Sequence, residues 1–169
     1  MKRFLSFLLI IALCLPLLAC AKEAVRIQEP VSFYYRRQDL AYGEENSVIL
    51  SEMREAAGRL NAPEYLLQEY LAGPISEGLA HTFSNGTTLV HYVCDSTKAT
   101  LTLSSHIANL SGMDLTIACA CLTLTVMELL DVETVEIRAE DALLNDAEAI
   151  IMDRESLLFL DDSAIKPAD

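Results

Sequence analysis

Cys20 is the residue whose type and surroundings indicate a chemical role most clearly. It ends the segment 17–20, LLAC, which follows a positively charged start and an apolar run over residues 4–15 that one serine interrupts. This order is typical of a secretory signal. A cysteine directly after a small residue predicts its lipoprotein form, in which residues 1–19 are removed and the Cys20 thiol takes a diacylglyceryl group. The alternatives are an ordinary signal with a chance cysteine, or a membrane span, for which about 20 apolar residues are needed.

The charge of the chain limits what else could hold it to a membrane or a partner. The 169 residues include 12 Lys+Arg and 25 Asp+Glu, which gives a net charge of −13. Such a chain is not expected to bind nucleic acid, because that binding requires a basic surface. Anionic headgroups would repel it as well. We therefore expect membrane attachment through the lipid on Cys20, on the extracytoplasmic side of the cell membrane.

The cysteines after Cys20 are Cys94, Cys119 and Cys121, and all three lie in apolar runs. An odd number cannot pair completely within one chain. Cys119 and Cys121 would point to different faces of a helix and could not chelate one ion there, although on a strand they would share a face. We expect all three to pack as small hydrophobic residues.

Histidines offer no ligand pattern in this sequence. His81 and His106 fall in predicted loops and His91 in a predicted strand, and none has a partner at the i, i+4 spacing of a helical metal site. Ser105 precedes His106 directly, but no G-x-S-x-G elbow accompanies them. We therefore expect no metal, no cofactor and no catalytic set, and we interpret the histidines as surface or hydrogen-bonded residues.

Charged side chains beside the predicted strands are the remaining candidates. Arg36 and Arg37 form a basic pair, which we interpret as a solvated strand end that could also dock a partner's carboxylate. Carboxylates are so abundant that closeness of any two says little about acid–base catalysis. Those that flank strands are Asp95, Asp131, Glu133 and Glu136.

Two helices are predicted from caps, breakers and apolar spacing. The first covers 62–72, with Asn61 as its N-cap and a Gly-Pro stop at 73–74. The second is a buried helix from Ser111 to about 130, which Ser111 and Asp114 would open as a capping box. Its threonines make a strand the alternative, but its length favours a helix.

The other predicted elements are strands and the loops between them. Residues 47–54 are interpreted as a strand, with helical spacing as the alternative, and 76–87 as a loop. The chain is predicted to end in an acidic tail, 161–169. The remaining strands are expected over residues 31–35, 88–94, 99–103, 132–138, 149–152 and 157–160.

This order of elements predicts an α+β fold, with a mixed or antiparallel sheet and two helices on one face. It runs strand, strand, helix, hairpin, helix, strand. The expected organisation is a signal peptide over 1–19, a lipidated tether over 20–30, one domain over 31–160 and the tail.

Several segments, taken in order, resemble the GerM domain family of sporulation and spore germination. They are 66–74 (LLQEYLAGP), 78–79 with 83–89 (GL and FSNGTTL), 99–104 (ATLTLS), 116–130 and 132–137 (VETVEI). The resemblance implies a lipoprotein associated with spore formation or germination. It also implies a relation to ring-building modules, which stack side by side into rings between two membranes, and it provides no catalytic residues.

Two functions of different classes follow as hypotheses. The first is a non-enzymatic, membrane-anchored structural or interaction protein that binds itself or other envelope and sporulation proteins. The second is a module that binds or processes peptidoglycan, for which exposed acidic groups and the tyrosines Tyr34, Tyr35 and Tyr70 would be available.

Overall fold

A computed structural model of the chain describes residues 29–39, 48–157 and 165–167. Cys20, the signal 1–19 and most of the tether 20–30 lie outside the described residues, so lipid attachment stays a prediction. Most of the strand expected over 157–160 and parts of the acidic tail also lie outside them.

The described elements are eight strands, two α-helices and a short 3-10 helix. In chain order they are β1 (Pro30–Arg37), β2 (Ile49–Glu55), α1 (Pro63–Leu71), β3 (Leu79–Ala80), β4 (Leu89–Cys94), β5 (Lys98–Leu103), the 3-10 helix (Ser105–Asn109), α2 (Gly112–Leu130), β6 (Thr134–Ala139), β7 (Ile150–Asp153) and β8 (Ile165–Pro167). The predicted α+β class is confirmed, and the strand reading of 47–54 is correct.

The strands form two sheets of four, where the sequence analysis expects one sheet. The first has the order β3-β1-β2-β8, in which β1 is antiparallel to β2 and β3, and β2 is parallel to β8. Strand β3 lies inside the predicted loop 76–87, and β8 lies inside the predicted acidic tail. Both escape a search for periodicity because two or three residues are too few to show alternation.

The second sheet has the order β4-β5-β6-β7. Strands β4 and β5 form the expected hairpin, and β5 and β6 are parallel because α2 connects them as a crossover. Alternation in β5 buries Ala99, Leu101 and Leu103, as the period of two predicts.

Helix α2 is confirmed as a buried helix and it contacts strands of both sheets. It packs on β1 of the first sheet and on β6 and β7 of the second. Contact on two sides explains why the helix is apolar all round. By length and composition α2 could cross a membrane, but most of its apolar stretch is buried inside the fold.

The starts of both helices differ from the predicted caps. Ala62, not Asn61, is the N-cap of α1, with Pro63 in the first turn. Ser111 is the N-cap of α2, but its side chain makes no capping hydrogen bond. Asp114 forms an ion pair with Arg36 instead of closing a capping box, because α2 lies against β1.

The buried apolar residues of the described chain, from Val31 to Leu157, form one cluster. The members of that cluster all lie after residue 30. We therefore expect a chain that begins at Ala21 to fold without its signal.

Candidate functional site

The thiols and aromatic side chains occupy positions that the sequence predicts only in part. Cys119 and Cys121 are buried in α2, and burial raises the pKa of the Cys119 thiol to about 12. Cys94 is exposed, which corrects the expectation of a core residue. Cys94 is the last residue of β4 and lies directly before the exposed turn at 95–97.

Tyr35 and Tyr70, expected as exposed groups for a cell-wall ligand, are fully buried. Their rings stack at 4.9 Å between centroids, and the Tyr35 hydroxyl donates to the Tyr70 carbonyl at 2.9 Å. Tyr34 is half-buried and its hydroxyl donates to Glu128 at 2.7 Å. Burial follows from β1, which turns alternate residues toward α1 and the core.

The three histidines are exposed and lie on separate elements. The His81 ring covers Gly73, the His106 ring lies against Gly86, and His91 is on β4. His106 Nδ1 lies 3.4 Å from the hydroxyl of Ser104. Among the described residues, no group of three His, Cys, Asp or Glu could hold a metal ion.

Glu52 is the buried carboxylate with the most partners, and the sequence analysis does not single it out. It forms an ion pair with Arg54 and accepts hydrogen bonds from the backbone amides of Ile75 and Ser76, the latter at 2.7 Å. Burial alone would raise the pKa of Glu52, but the bonds from Ser76 and the Arg54 guanidinium outweigh it and hold this pKa below its usual value.

Arg54 joins three parts of the fold around that carboxylate. Its guanidinium donates to the Gly73 carbonyl at 2.6 Å and to the Tyr35 hydroxyl at 3.3 Å, and it lies 5.0 Å from the centre of the Phe33 ring. The pair thus fixes the end of α1 to β1 and β2. A carboxylate held ionised in this way is a poor general acid, so we interpret the cluster as structural.

Glu136, one of the predicted carboxylates, repeats this arrangement at the second sheet. It is buried and forms ion pairs with Lys98 and Arg138, which hold its pKa below the usual value. Glu52 and Arg54, like Glu136 and Arg138, are two residues apart on a strand and therefore share a face. This Glu-x-Arg spacing is the signal by which the sequence could have revealed both pairs.

The other predicted charged residues also have structural roles. Asp95 accepts hydrogen bonds from the backbone amides of Thr97 and Lys98 and so closes the β4–β5 turn. Asp131 ends α2 in the left-handed conformation. Arg36 pairs with Asp114 of the same chain at 3.2 Å, instead of being a free solvated strand end.

A pocket of about 610 Å³ lies beside the end of α1. Its size falls within the range of about 300–1,000 Å³ that is typical of small-molecule sites. His81 is its one titratable side chain, in a chain whose net charge is −13. The lining is formed by Gln68, Leu71, Ala72, His81, Ser84, Asn85, Gly86, Thr87 and Thr88. The arrangement provides amide and hydroxyl groups that can donate and accept hydrogen bonds.

The fold is similar to that of GerMN domains, as comparison with solved structures shows. No protein-family model and no curated protein matches the sequence. Among solved structures, the chain is similar to the tandem GerMN domains of the sporulation protein GerM from Bacillus subtilis, with a TM-score of 0.52 and 19% identity over 70% of this chain. The match covers 43% of the Bacillus chain, so this chain spans less than half of it. A candidate lipoprotein from Clostridium perfringens matches at a TM-score of 0.49 and 17% identity, over 79% of this chain and 93% of that one.

Proposed function

We propose that this chain is a non-catalytic interaction module, anchored by lipid on Cys20 to the outer face of the cell membrane, that acts in sporulation or spore germination. The observation that carries the proposal is a GerM-like fold behind a sequence pattern that is typical of a lipoprotein signal. The matched GerMN domains belong to a sporulation protein, which is consistent with the proposal.

The chemistry of the described residues supports a role without catalysis. The buried carboxylates Glu52 and Glu136 are neutralised by basic side chains, which is typical of structural ion pairs. The thiols of α2 are buried and protonated, and a reactive cysteine requires an accessible thiolate. The exposed histidines lie on separate elements.

The experiment is deletion of the gene in its host, followed by complementation with the wild type, C20S or C14S. Cys14 lies in the apolar part of the signal and serves as the matched control. We expect fewer heat-resistant or germinating spores after deletion, with rescue by the wild type and C14S but not by C20S. Incorporation of an alkyne-labelled fatty acid should follow the same order. Normal sporulation and germination after deletion would contradict the role, and labelling of C20S would contradict the anchor.

A second candidate function is binding of peptidoglycan glycan, favoured by a pocket beside α1 whose lining holds no Asp, Glu, Lys or Arg. Saccharides are neutral and rich in hydroxyl groups, and they require donors and acceptors such as those of Ser84, Asn85 and Thr88. The test is retention of the chain on purified peptidoglycan. We expect S84W, which fills the pocket, to abolish retention, while S105W on an exposed position outside the lining leaves it unchanged. Equal retention of both variants would exclude the pocket.

A further inference from the structure

Strand β4 lies at the edge of the second sheet and carries no charge or proline that would prevent strand pairing. It is six residues long, ends the order β4-β5-β6-β7, and contains no Asp, Glu, Lys, Arg or Pro. Val90 and Val93 are 45% and 55% exposed. Natural proteins protect long edges with charges, prolines, bulges or short strands, because an unpaired edge can bind another strand.

The other described sheet edges are protected. Strands β3 and β8 at the edges of the first sheet have two and three residues. Strand β7, at the far edge of the second sheet, has four residues and ends in Asp153. In β4 the one protecting feature is an irregularity between Leu89 and His91, so the strand is regular from His91 to Cys94.

The hydrogen bonds of the β4–β5 hairpin show which backbone groups face outward. The Asp95 amide donates to the Lys98 carbonyl, so this pair is hydrogen-bonded. Antiparallel pairs alternate, and therefore Val93 and His91 also turn their backbone groups to β5. Tyr92 and Cys94 turn theirs away from the sheet, to the open edge.

We propose that a second copy of this chain pairs with β4, antiparallel, about a two-fold axis at Val93. This register places Tyr92 opposite Cys94 of the second copy, so all the outward backbone groups of the regular segment pair. Val93 then meets Val93 of the second copy, and each exposed valine covers the other.

The charges near β4 are compatible with a second copy of the chain as the strand that pairs with it. Two chains of net charge −13 repel each other, but β4 carries no carboxylate, and Asp95 directly after it is the one acidic residue that this register brings into the contact. In the same register His91 lies opposite Asp95 of the second copy, which joins an imidazole to a carboxylate. The contact is symmetric, so it closes as a dimer. Because the strand is short, the dimer is weak in solution and is favoured when lipid anchors concentrate the chains on one membrane.

The dimer deepens the proposed function because it gives the module a partner, a second copy of the chain. It rests on the proposed function only where lipid anchors are said to concentrate the chains on the membrane. It is tested in solution without spores, so its failure and that of the sporulation role are distinguishable. The chain from Ala21 is examined by light scattering over a range of concentrations. We expect the mass to rise toward that of a dimer, V93K to stay monomeric, and I151K, an equally exposed change on β7, to match the wild type. A wild type that is monomeric at all concentrations, or a dimeric V93K, overturns the proposal.

Disulfide trapping tests the register. In a C94S background, V93C places two thiols on Cα atoms about 4.5 Å apart, within the range of a disulfide. H91C is on the same face of the strand, but its two copies would be about 13 Å apart. Under mild oxidation we expect about tenfold more linked dimer from V93C than from H91C. Equal yields from the two variants would show random collision and refute the register.

Discussion

Removal of the Arg54 guanidinium is the change whose cost the structure defines best. In R54M the methionine keeps an apolar stem near Phe33, but Glu52 loses its cationic partner and the Gly73 carbonyl loses its donor. Breaking a buried ion pair by removing one partner costs about 3–5 kcal/mol. At about 2–4 °C per kcal/mol for a chain of this size, we expect a fall in Tm of about 8–16 °C for the middle of that range.

The assay is urea and thermal unfolding followed by far-ultraviolet circular dichroism, since the chain has no tryptophan. R138M is the matched control, because it removes an arginine from the second Glu-x-Arg pair. The Arg138 side chain is 51% exposed and Lys98 still neutralises Glu136, so we expect a loss of about 0–1 kcal/mol.

A double mutant separates the buried charge from lost packing. E52Q with R54M removes both charges, while the glutamine oxygen can still accept from Ser76. The double variant should therefore be at least about 1 kcal/mol more stable than R54M alone. An R54M protein within about 1 kcal/mol of the wild type, or a double variant that is less stable than R54M, would refute this account of the cluster.

Three further predictions concern acid, one glycine and the thiols. The pKa of Glu52 in the folded protein lies below the unfolded value of about 4.3. The stabilisation of the fold by ionised Glu52 is therefore complete above that pH and is lost as the pH falls through the folded pKa. We expect the unfolding free energy of E52Q to depend less steeply on pH than that of the wild type below about pH 4. G73A should lose about 2–4 kcal/mol in urea unfolding, since its φ is +108° and a Cβ would lie 2.1 Å from His81, whereas G58A, with open space, should lose about 1 kcal/mol. In the chain from Ala21, Ellman's reagent should label Cys94 alone until denaturant is added; labelling of a second thiol in the native protein would contradict the buried positions in α2.

The elements that the sequence predicts well are those whose pattern is local. Alternation in β5 and the absence of charge between Asp114 and Glu128 in α2 are visible in the chain itself, and both elements were predicted correctly. The short strands β3 and β8 owe their existence to distant partners, and so does the division into two sheets. Local patterns carry no information on such pairings.

The site shows the same division between local and distant information. The burial of Tyr35 depends on where α1 packs. The pocket beside α1 joins a helix end to the turn around Asn85, and only the turn is visible in the sequence. Glu52 is different, since its spacing of two residues from Arg54 is a local signal that is visible in the sequence of β2.

We expect lipid on Cys20 to hold this GerM-like domain outside the membrane. The decisive experiment is intact mass spectrometry of the protein isolated from host membranes. We expect a chain that begins at Cys20, with the mass of a diacylglyceryl group on the peptide that contains this residue. A chain cleaved at another site, or a Cys20 peptide without added lipid, would contradict it.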